Sequence, residues 1–387
     1  MTPTRYGIAR EELSALLAEI GEPAYRARQV WEGLHAGLLA PGEMTTLPLA
    51  LRERLEAALP CALTLVTESP SDRGDTVKSL WALGPTDGSR IESVLMHYAE
   101  RSTVCVSTQA GCAMACGFCA TGQAGFTRQL SPAEILEQVV RAARRSRDDG
   151  RRLANVVFMG MGEPLANEPN VWTAIERIHG DLGISARHLT ISTVGIVTGI
   201  RTLAERPLPV NLAVSLHAAR DDLRDELVPI NRRYPIAELM DACRDYLAAT
   251  RRRLSFEWAM IDGVNDTDRD ARELARLSRA LSPSAHVNLI PLNPTPGWPT
   301  GATPRERVRA FAERLTALGV NATVRRNRGT DIGAACGQLA AGQPVTLAPR
   351  PAPPRAQPES AVASRSRPRS ISSRNARSSR PVPKDHA

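Results

Sequence analysis

Apolar residues recur every three to four positions over 11–20 (EELSALLAEI), 24–38 (AYRARQVWEGLHAGL) and 47–59 (LPLALRERLEAAL), which predicts an opening region of amphipathic helices reaching to about Gly84. From Val77 the pattern shifts to strand-like pieces, KSLWAL and RIESVLMHY, separated by the turn sequence PTDGS. Thereafter short apolar runs alternate with longer helical ones. STVCVST, NVVFM, HLTIST, NLAVSLH, LSFEWAMI and HVNLIPLN read as strands, and PAEILEQVVRAARR, NVWTAIERI, IAELMDACRDYLAA, DRDARELARLSRAL and RERVRAFAERLTAL as helices. Six strand-helix units in series predict an α/β fold with a parallel sheet closed, or partly closed, into a barrel. Chemistry in such folds sits at the carboxyl ends of the strands. The loops GCAMACGFCATG, GMGEP, STVG, SLHA and LNPTPG each follow a predicted strand directly, so they should gather at one mouth.

Beyond Gln343 the pattern dissolves into Pro, Arg, Ser and Ala without aromatics, a composition that cannot bury enough apolar surface to offset its ordering entropy. The expected division is a helical accessory domain over 1–84, a catalytic core over 85–346 and a disordered basic tail over 347–387. The tail also changes the meaning of the charge. The chain carries a net +8, but nine Lys or Arg against Glu359 and Asp385 put seven of those charges after residue 346. The folded part is nearly neutral, so any RNA contact there must come from local clusters. The candidates are Arg144, Arg145, Arg147, Arg151 and Arg152; Arg232 and Arg233; Arg251 to Arg253; and Arg325, Arg326 and Arg328. The first residues lack the apolar run of a signal peptide and no later stretch is long enough to span a bilayer. A cytosolic protein without a membrane partner is expected, with its seven cysteines available for metal or redox chemistry.

Three of those cysteines, Cys112, Cys116 and Cys119, fall in one loop at spacings that fit neither a helix face nor an alternating strand. A loop folded around a metal brings them together, and Gly111, Gly117 and Gly122 let it bend. Structural zinc takes four protein ligands, and no second CxxC or closely spaced histidine pair is present. Three thiolates on a four-iron, four-sulfide (4Fe-4S) cluster leave one iron open. CxxxCxxC is also the signature of radical S-adenosylmethionine (SAM) enzymes, whose open iron takes the amino and carboxylate groups of SAM. On its own, the triplet leaves a zinc knuckle or incidental buried thiols open.

Taken together, CVSTQAGCAMACGFCATGQAGFTRQL, FMGMGEPLAN, SLHAARDDLRDELVPIN, NLIPLNPTPG and RGTDIGAACGQL resemble, in order and spacing, the bacterial RlmN/Cfr family of radical-SAM methyltransferases acting on an adenine of 23S ribosomal RNA. The resemblance runs from the opening helices to about Gly342. It implies a partial (β/α)6 radical-SAM barrel, one 4Fe-4S cluster on Cys112, Cys116 and Cys119, and two SAM molecules per methylation. Adenine carbon 2 is electron-poor and cannot attack a sulfonium methyl. In the family one SAM therefore methylates a cysteine, and a second is cleaved to a 5′-deoxyadenosyl radical that takes hydrogen from that methyl. The resulting radical adds to the base, and a second cysteine releases the product by forming a disulfide.

By position, the resemblance assigns Cys336 as the methyl carrier, Cys105 as the resolving thiol and Glu92 as the proton acceptor. Gly162, Glu163, Ser192, Ser215, Leu216, His217 and Asn293 become the SAM contacts. Cys61 and Cys243 match nothing and read as small hydrophobes. It further implies a monomer that takes electrons from an external donor such as flavodoxin or ferredoxin. Some relatives also modify the adenine just 3′ of the tRNA anticodon. No residue separates carbon 2 from carbon 8 on physical grounds, and carbon 2 is the commoner assignment. Two other classes compete: a radical-SAM enzyme on a peptide or small molecule, and a non-catalytic zinc or nucleic-acid-binding module. Cys105 with Cys336 argues against the first; the open-cornered triplet with GMGEP argues against the second.

Overall fold

The computed structural model describes residues 3–84 and 87–342. Three helices open the chain, α1 (Arg10–Glu19), α2 (Tyr25–His35) and α3 (Leu49–Ala58), and their apolar stripes meet through buried Leu13, Leu17, Val30, Leu34, Leu51 and Leu55. The helical pattern ends there, short of Gly84. Residues 63–71 are a strand, β1 (Leu63–Ser71), which hairpins with β2 (Thr76–Leu83). β1 escapes sequence pattern because it is an edge strand: six of its nine residues are exposed, so it has no apolar alternation. β3 (Arg90–His97) pairs antiparallel with β2, and the turn PTDGS that joins them has its first two residues outside the described ones.

The barrel units follow. β4 (Ser102–Cys105) leads into a small ribbon, β5 (Gln109–Gly111) and β6 (Phe126–Gln129), with the short helix α4 (Ala120–Ala124) between its strands. Next come α5 (Pro132–Asp148), β7 (Leu153–Phe158), α6 (Glu168–Gly180), β8 (Leu189–Thr193), α7 (Val197–Ala204), β9 (Asn211–Ser215), α8 (Asp221–Leu227) and α9 (Ile236–Thr250). β10 (Leu254–Met260), α10 (Asp268–Arg279), β11 (His286–Pro291), α11 (Arg305–Ala317) and β12 (Ala322–Val324) complete the described fold. Helix starts follow their local chemistry. Ser131 caps α5 and Glu134 answers its backbone N–H at 2.8 Å, with Pro132 in the first turn.

One ten-stranded sheet runs β1-β2-β3-β4-β7-β8-β9-β10-β11-β12. The six expected strands, β4 and β7 to β11, are mutually parallel and in order, and β12 adds a three-residue seventh. β1 and β12 are the two ends of the sheet, so the barrel is partial. Side chains such as Phe158, Ile191, Val214, Phe256 and Trp258 pack between sheet and helices at no more than 1% exposure. The expected disordered tail, 347–387, lies outside the described residues.

Candidate active site

The cysteine loop is closed at its base by the β5–β6 ribbon, where Gly111 pairs with Phe126. Only glycine fits position 111: its φ is +77°, and a Cβ there would stand 1.9 Å from the Gly125 carbonyl oxygen. Cys112, Cys116 and Cys119 line one cavity on the carboxyl side of the strands, together with Gly162, Glu163, Ser192, Ser215, His217, Asn293 and Cys336. All five of the expected loops therefore contribute. Burial pushes the Cys112 thiol up to about 12 and Cys116 well above its ordinary value, and the neighbouring cysteines add to both. Thiols held this way ionise readily only against a cationic group. Among the described residues no three His, Cys, Asp or Glu side chains converge on the place of a single metal ion. Three thiols from one loop would leave one corner of a four-iron cluster open beside Glu163, Ser192 and Ser215, so the donor set fits such a cluster.

Facing the cysteines, the GMGEP loop is held from behind. Glu163 N–H donates to Gln109 Oε1 at 2.8 Å, and Met161 N–H to Ser107 Oγ at 2.9 Å. Gly162 has φ +102° and touches Gln109 so closely that a Cβ would come within 2.5 Å of its side chain. The Glu163 carboxylate accepts from Leu165 N–H at 3.0 Å and Val194 N–H at 2.8 Å. Burial nevertheless pushes it up to about 7, against those donors and Thr193. An ammonium group docking beside it would keep it ionised, which suits the amino end of an amino acid.

Residues 215 to 217, at the end of β9 and just past it, divide between cavity and core. Ser215 and His217 face the cavity, whereas Leu216 between them is fully buried in the main apolar core and does not line the site. Ser192 Oγ lies 3.4 Å from Ser215 Oγ. His217 Nδ1 accepts Ala259 N–H at 3.0 Å, so the neutral ring carries its proton on Nε2; burial lowers its pKa to about 3, helped by Arg224. Arg224, a residue missed from sequence, fastens these loops. Its buried guanidinium donates to the carbonyls of Leu216 at 3.1 Å and Val194 at 2.6 Å and to Asn231 Oδ1 at 2.8 Å. Arg224→Met would leave all three acceptors dry, so a loss of about 3 kcal/mol is expected in denaturant unfolding. SAM affinity, read by equilibrium dialysis, is expected to fall with it.

Cys336 reaches the cavity on a loop tethered at many points. Its carbonyl accepts Asn293 Nδ2 at 2.9 Å, the Gly337 carbonyl accepts Ala120 N–H at 2.7 Å, and the Leu339 carbonyl accepts Thr121 Oγ1 at 2.6 Å. Residue 336 is exposed as a whole, but burial of its thiol pushes the group up to about 12, with Cys119 and Glu257 adding to the shift. Cys105, at the end of β4, lies outside the cavity lining, behind Met159, and its thiol is likewise pushed up to about 12 by burial and by Cys336. Both thiols are free. Glu92 is buried on β3 and also does not line the cavity. One oxygen accepts Ala340 N–H at 2.9 Å and Ala341 N–H at 3.1 Å, and the other pairs with Lys78 at 2.8 Å. Glu92 of β3 thus holds down the far end of the loop that carries Cys336.

Glu257, a further residue not singled out from sequence, is a buried carboxylate on the cavity wall. It stands in register with Ser215 and Asn288, and its Oε1 accepts from Asn288 and Ser255, each at 2.8 Å. A lone charge inside the apolar run LSFEWAMI was the available signal. Cys243 is fully buried in α9 as a small hydrophobe, while Cys61 is half-buried beside Glu137. Among the described residues no helix is long and apolar enough to cross a membrane.

With this geometry in view, similarity to known proteins becomes specific. Residues 106–277 match the model of the radical SAM superfamily, and residues 6–59 that of the ribosomal RNA large subunit methyltransferase N-terminal domain. The chain is 50% identical over 354 residues, 88% of its length and 94% of the relative's, to a probable dual-specificity RNA methyltransferase RlmN of Chloroflexus aurantiacus. It is 53% identical over 336 residues to the protein of that description in Mycobacterium tuberculosis, covering 85% and 92% of the two chains. The crystal structure of a radical SAM methyltransferase from Sphaerobacter thermophilus superposes with a TM-score of 0.83 at 50% identity, covering 88% of this chain and 99% of that one. This superfamily implies a 4Fe-4S cluster and SAM, for which the cavity supplies thiols, a carboxylate and hydroxyls. The chain belongs to the RlmN family of radical-SAM ribosomal RNA methyltransferases.

Proposed function

We propose that this protein methylates carbon 2 of an adenine in 23S ribosomal RNA, and the adenine next to a tRNA anticodon as well, through a methylated Cys336. The observation that carries the reading is the presence of Cys336 in the same cavity as the cysteine triplet and Glu163. Cys112, Cys116 and Cys119 would hold the cluster, and Glu163, Ser192, Ser215, His217 and Asn293 the SAM. So bound, cluster and SAM would supply a methyl group, a radical able to remove hydrogen from it, and an acceptor for the one electron that must leave when the adduct on the base loses its proton. The remaining steps fall to the chain itself. Cys336 Sγ carries the one-carbon unit and, once that carbon has joined the base, links protein to RNA. Glu92 takes the proton lost from carbon 2, for which Ala340 and Ala341 must first release its carboxylate. Cys105 Sγ then attacks the Cys336 sulfur, breaking its bond to carbon. The carbon keeps the electron pair and takes a proton to become the methyl group, and the two sulfurs leave as a disulfide. An external flavodoxin or ferredoxin would supply electrons to the monomer in the cytoplasm.

Cys105→Ala tests the scheme. Without the resolving thiol the covalent link persists, so an RNA-protein adduct that resists denaturant is expected on gels in most turnover events. A loaded variant that forms methylated RNA and no adduct would remove Cys105 from the chemistry. Mapping the adenine atom that is methylated in RNA from a strain with the protein and unmethylated in RNA from a strain without it separates carbon 2 from carbon 8.

A further inference from the structure

The partial barrel sorts its arginines by which end of the strands they occupy. Arg144, Arg145, Arg147 and Arg151 sit at the end of α5 or just ahead of β7, at the amino ends of the strands and away from the cavity. They are spent on acids: Arg144 on Glu43, Arg145 on Glu68 and Asp149, Arg147 on Asp148, and Arg151 on Asp75. Arg251 to Arg253 likewise precede β10. Arg325 and Arg326 instead follow β12 directly, and Arg305 opens α11 after the loop that leaves β11. All three are exposed on the carboxyl side, with no ion pair to any described residue.

These three arginines line one groove of about 1120 Å³ between α11 and β12, floored by Val308, Ala312 and Val324. Its acid, Glu313, is paired with Arg309 at 2.9 Å, so the groove is cationic. The groove lies beside the catalytic cavity. Asn327 lines it and donates to Asn293 Oδ1 at 2.7 Å, and Asn293 in turn holds the Cys336 carbonyl. A base entering the cavity must leave its stack, and the backbone on either side then lies across the rim. Unpaired guanidinium groups at that rim suit phosphates, and the apolar floor suits the sugars between them.

We propose that the α11–β12 groove binds the RNA backbone beside the target nucleotide, with Arg305, Arg325 and Arg326 on its phosphates. This rests on the reading of the chain as an RNA methyltransferase, and the test separates the two. The probe is a synthetic RNA stem-loop with an adenine in its loop, titrated by fluorescence anisotropy against the full-length protein over a range of salt. The R305A/R325A/R326A variant is expected to bind at least about tenfold more weakly, and its log-log salt slope to fall by about 2, since each phosphate contact contributes roughly 0.7 to 0.9. The R144A/R145A/R147A variant is expected to keep wild-type affinity and slope. Equal affinity and slope for wild type and the groove variant, or a loss confined to the α5 variant, would overturn the groove assignment while leaving the RNA reading standing. A wild-type protein with no salt-sensitive affinity for RNA would overturn both. All six side chains are on the surface, and far-UV circular dichroism checks that each variant is folded.

Discussion

Cys116→Ala is expected to yield a folded protein that holds almost no iron or sulfide and cleaves SAM at less than about 1% of the wild-type rate, a loss of at least roughly 2.7 kcal/mol in transition-state stabilisation. Cys116 is the most deeply set of the triplet, 6% exposed among Phe118, Ala218, Leu223 and Leu227. With it gone, two thiols remain on a loop whose Gly111 and Gly125 hinge is built for three. The cost to the fold is small, because Ala occupies the same small site and the ribbon β5–β6 does not depend on sulfur; about 1 kcal/mol is the usual size of such a change. Iron and sulfide analysis, the visible absorbance of the cluster and the yield of 5′-deoxyadenosine read the outcome. A variant that keeps iron and cleavage would contradict the assignment of the triplet.

Cys336→Ala is expected to separate chemistry that Cys116→Ala removes together. The loop around residue 336 is held through backbone groups and neighbouring side chains: the 336 and 337 carbonyls, Thr121 on Leu339, and Glu92 on Ala340 and Ala341. None of these contacts involves the Cys336 sulfur. The variant should therefore keep its cluster, cleave SAM when reduced, and place no methyl on RNA, with activity down by more than about 10³-fold as expected for loss of a covalent nucleophile. Cys243→Ala serves as the control, since that thiol lies in the α9 core and should affect stability only.

The barrel was legible because each parallel strand turns a short set of apolar residues toward the helices, as with Val156 and Phe158 of β7 and Leu189 and Ile191 of β8. β1 and β12 escaped detection, being an exposed edge strand and a three-residue strand with little apolar content. The cysteine triplet and the GMGEP, STVG, SLHA and LNPTPG loops could be read as one mouth because strand ends fix where they go. Where single residues at the strand ends face was less legible. Leu216 faces the core while its two neighbours face the cavity, and Glu257 turns inward from a strand that otherwise reads as apolar. Long-range partners were invisible. Nothing in RIESVLM announces that Glu92 grips a loop almost 250 residues later, nor that the run Arg144 to Arg151 is neutralised by acids from other elements.

The whole scheme turns on Cys336 as the station through which the methyl carbon passes. The direct measurement charges the reduced holoprotein with SAM labelled in its methyl group, removes free SAM, adds RNA with excess unlabelled SAM, and follows both the Cys336 peptide and the RNA nucleosides by mass spectrometry. The expected result is label on Cys336 before RNA is added, then its loss from that peptide and appearance on adenine in equal amount. Label that stays on Cys336 while the first adenine methylated carries the unlabelled group would contradict the scheme.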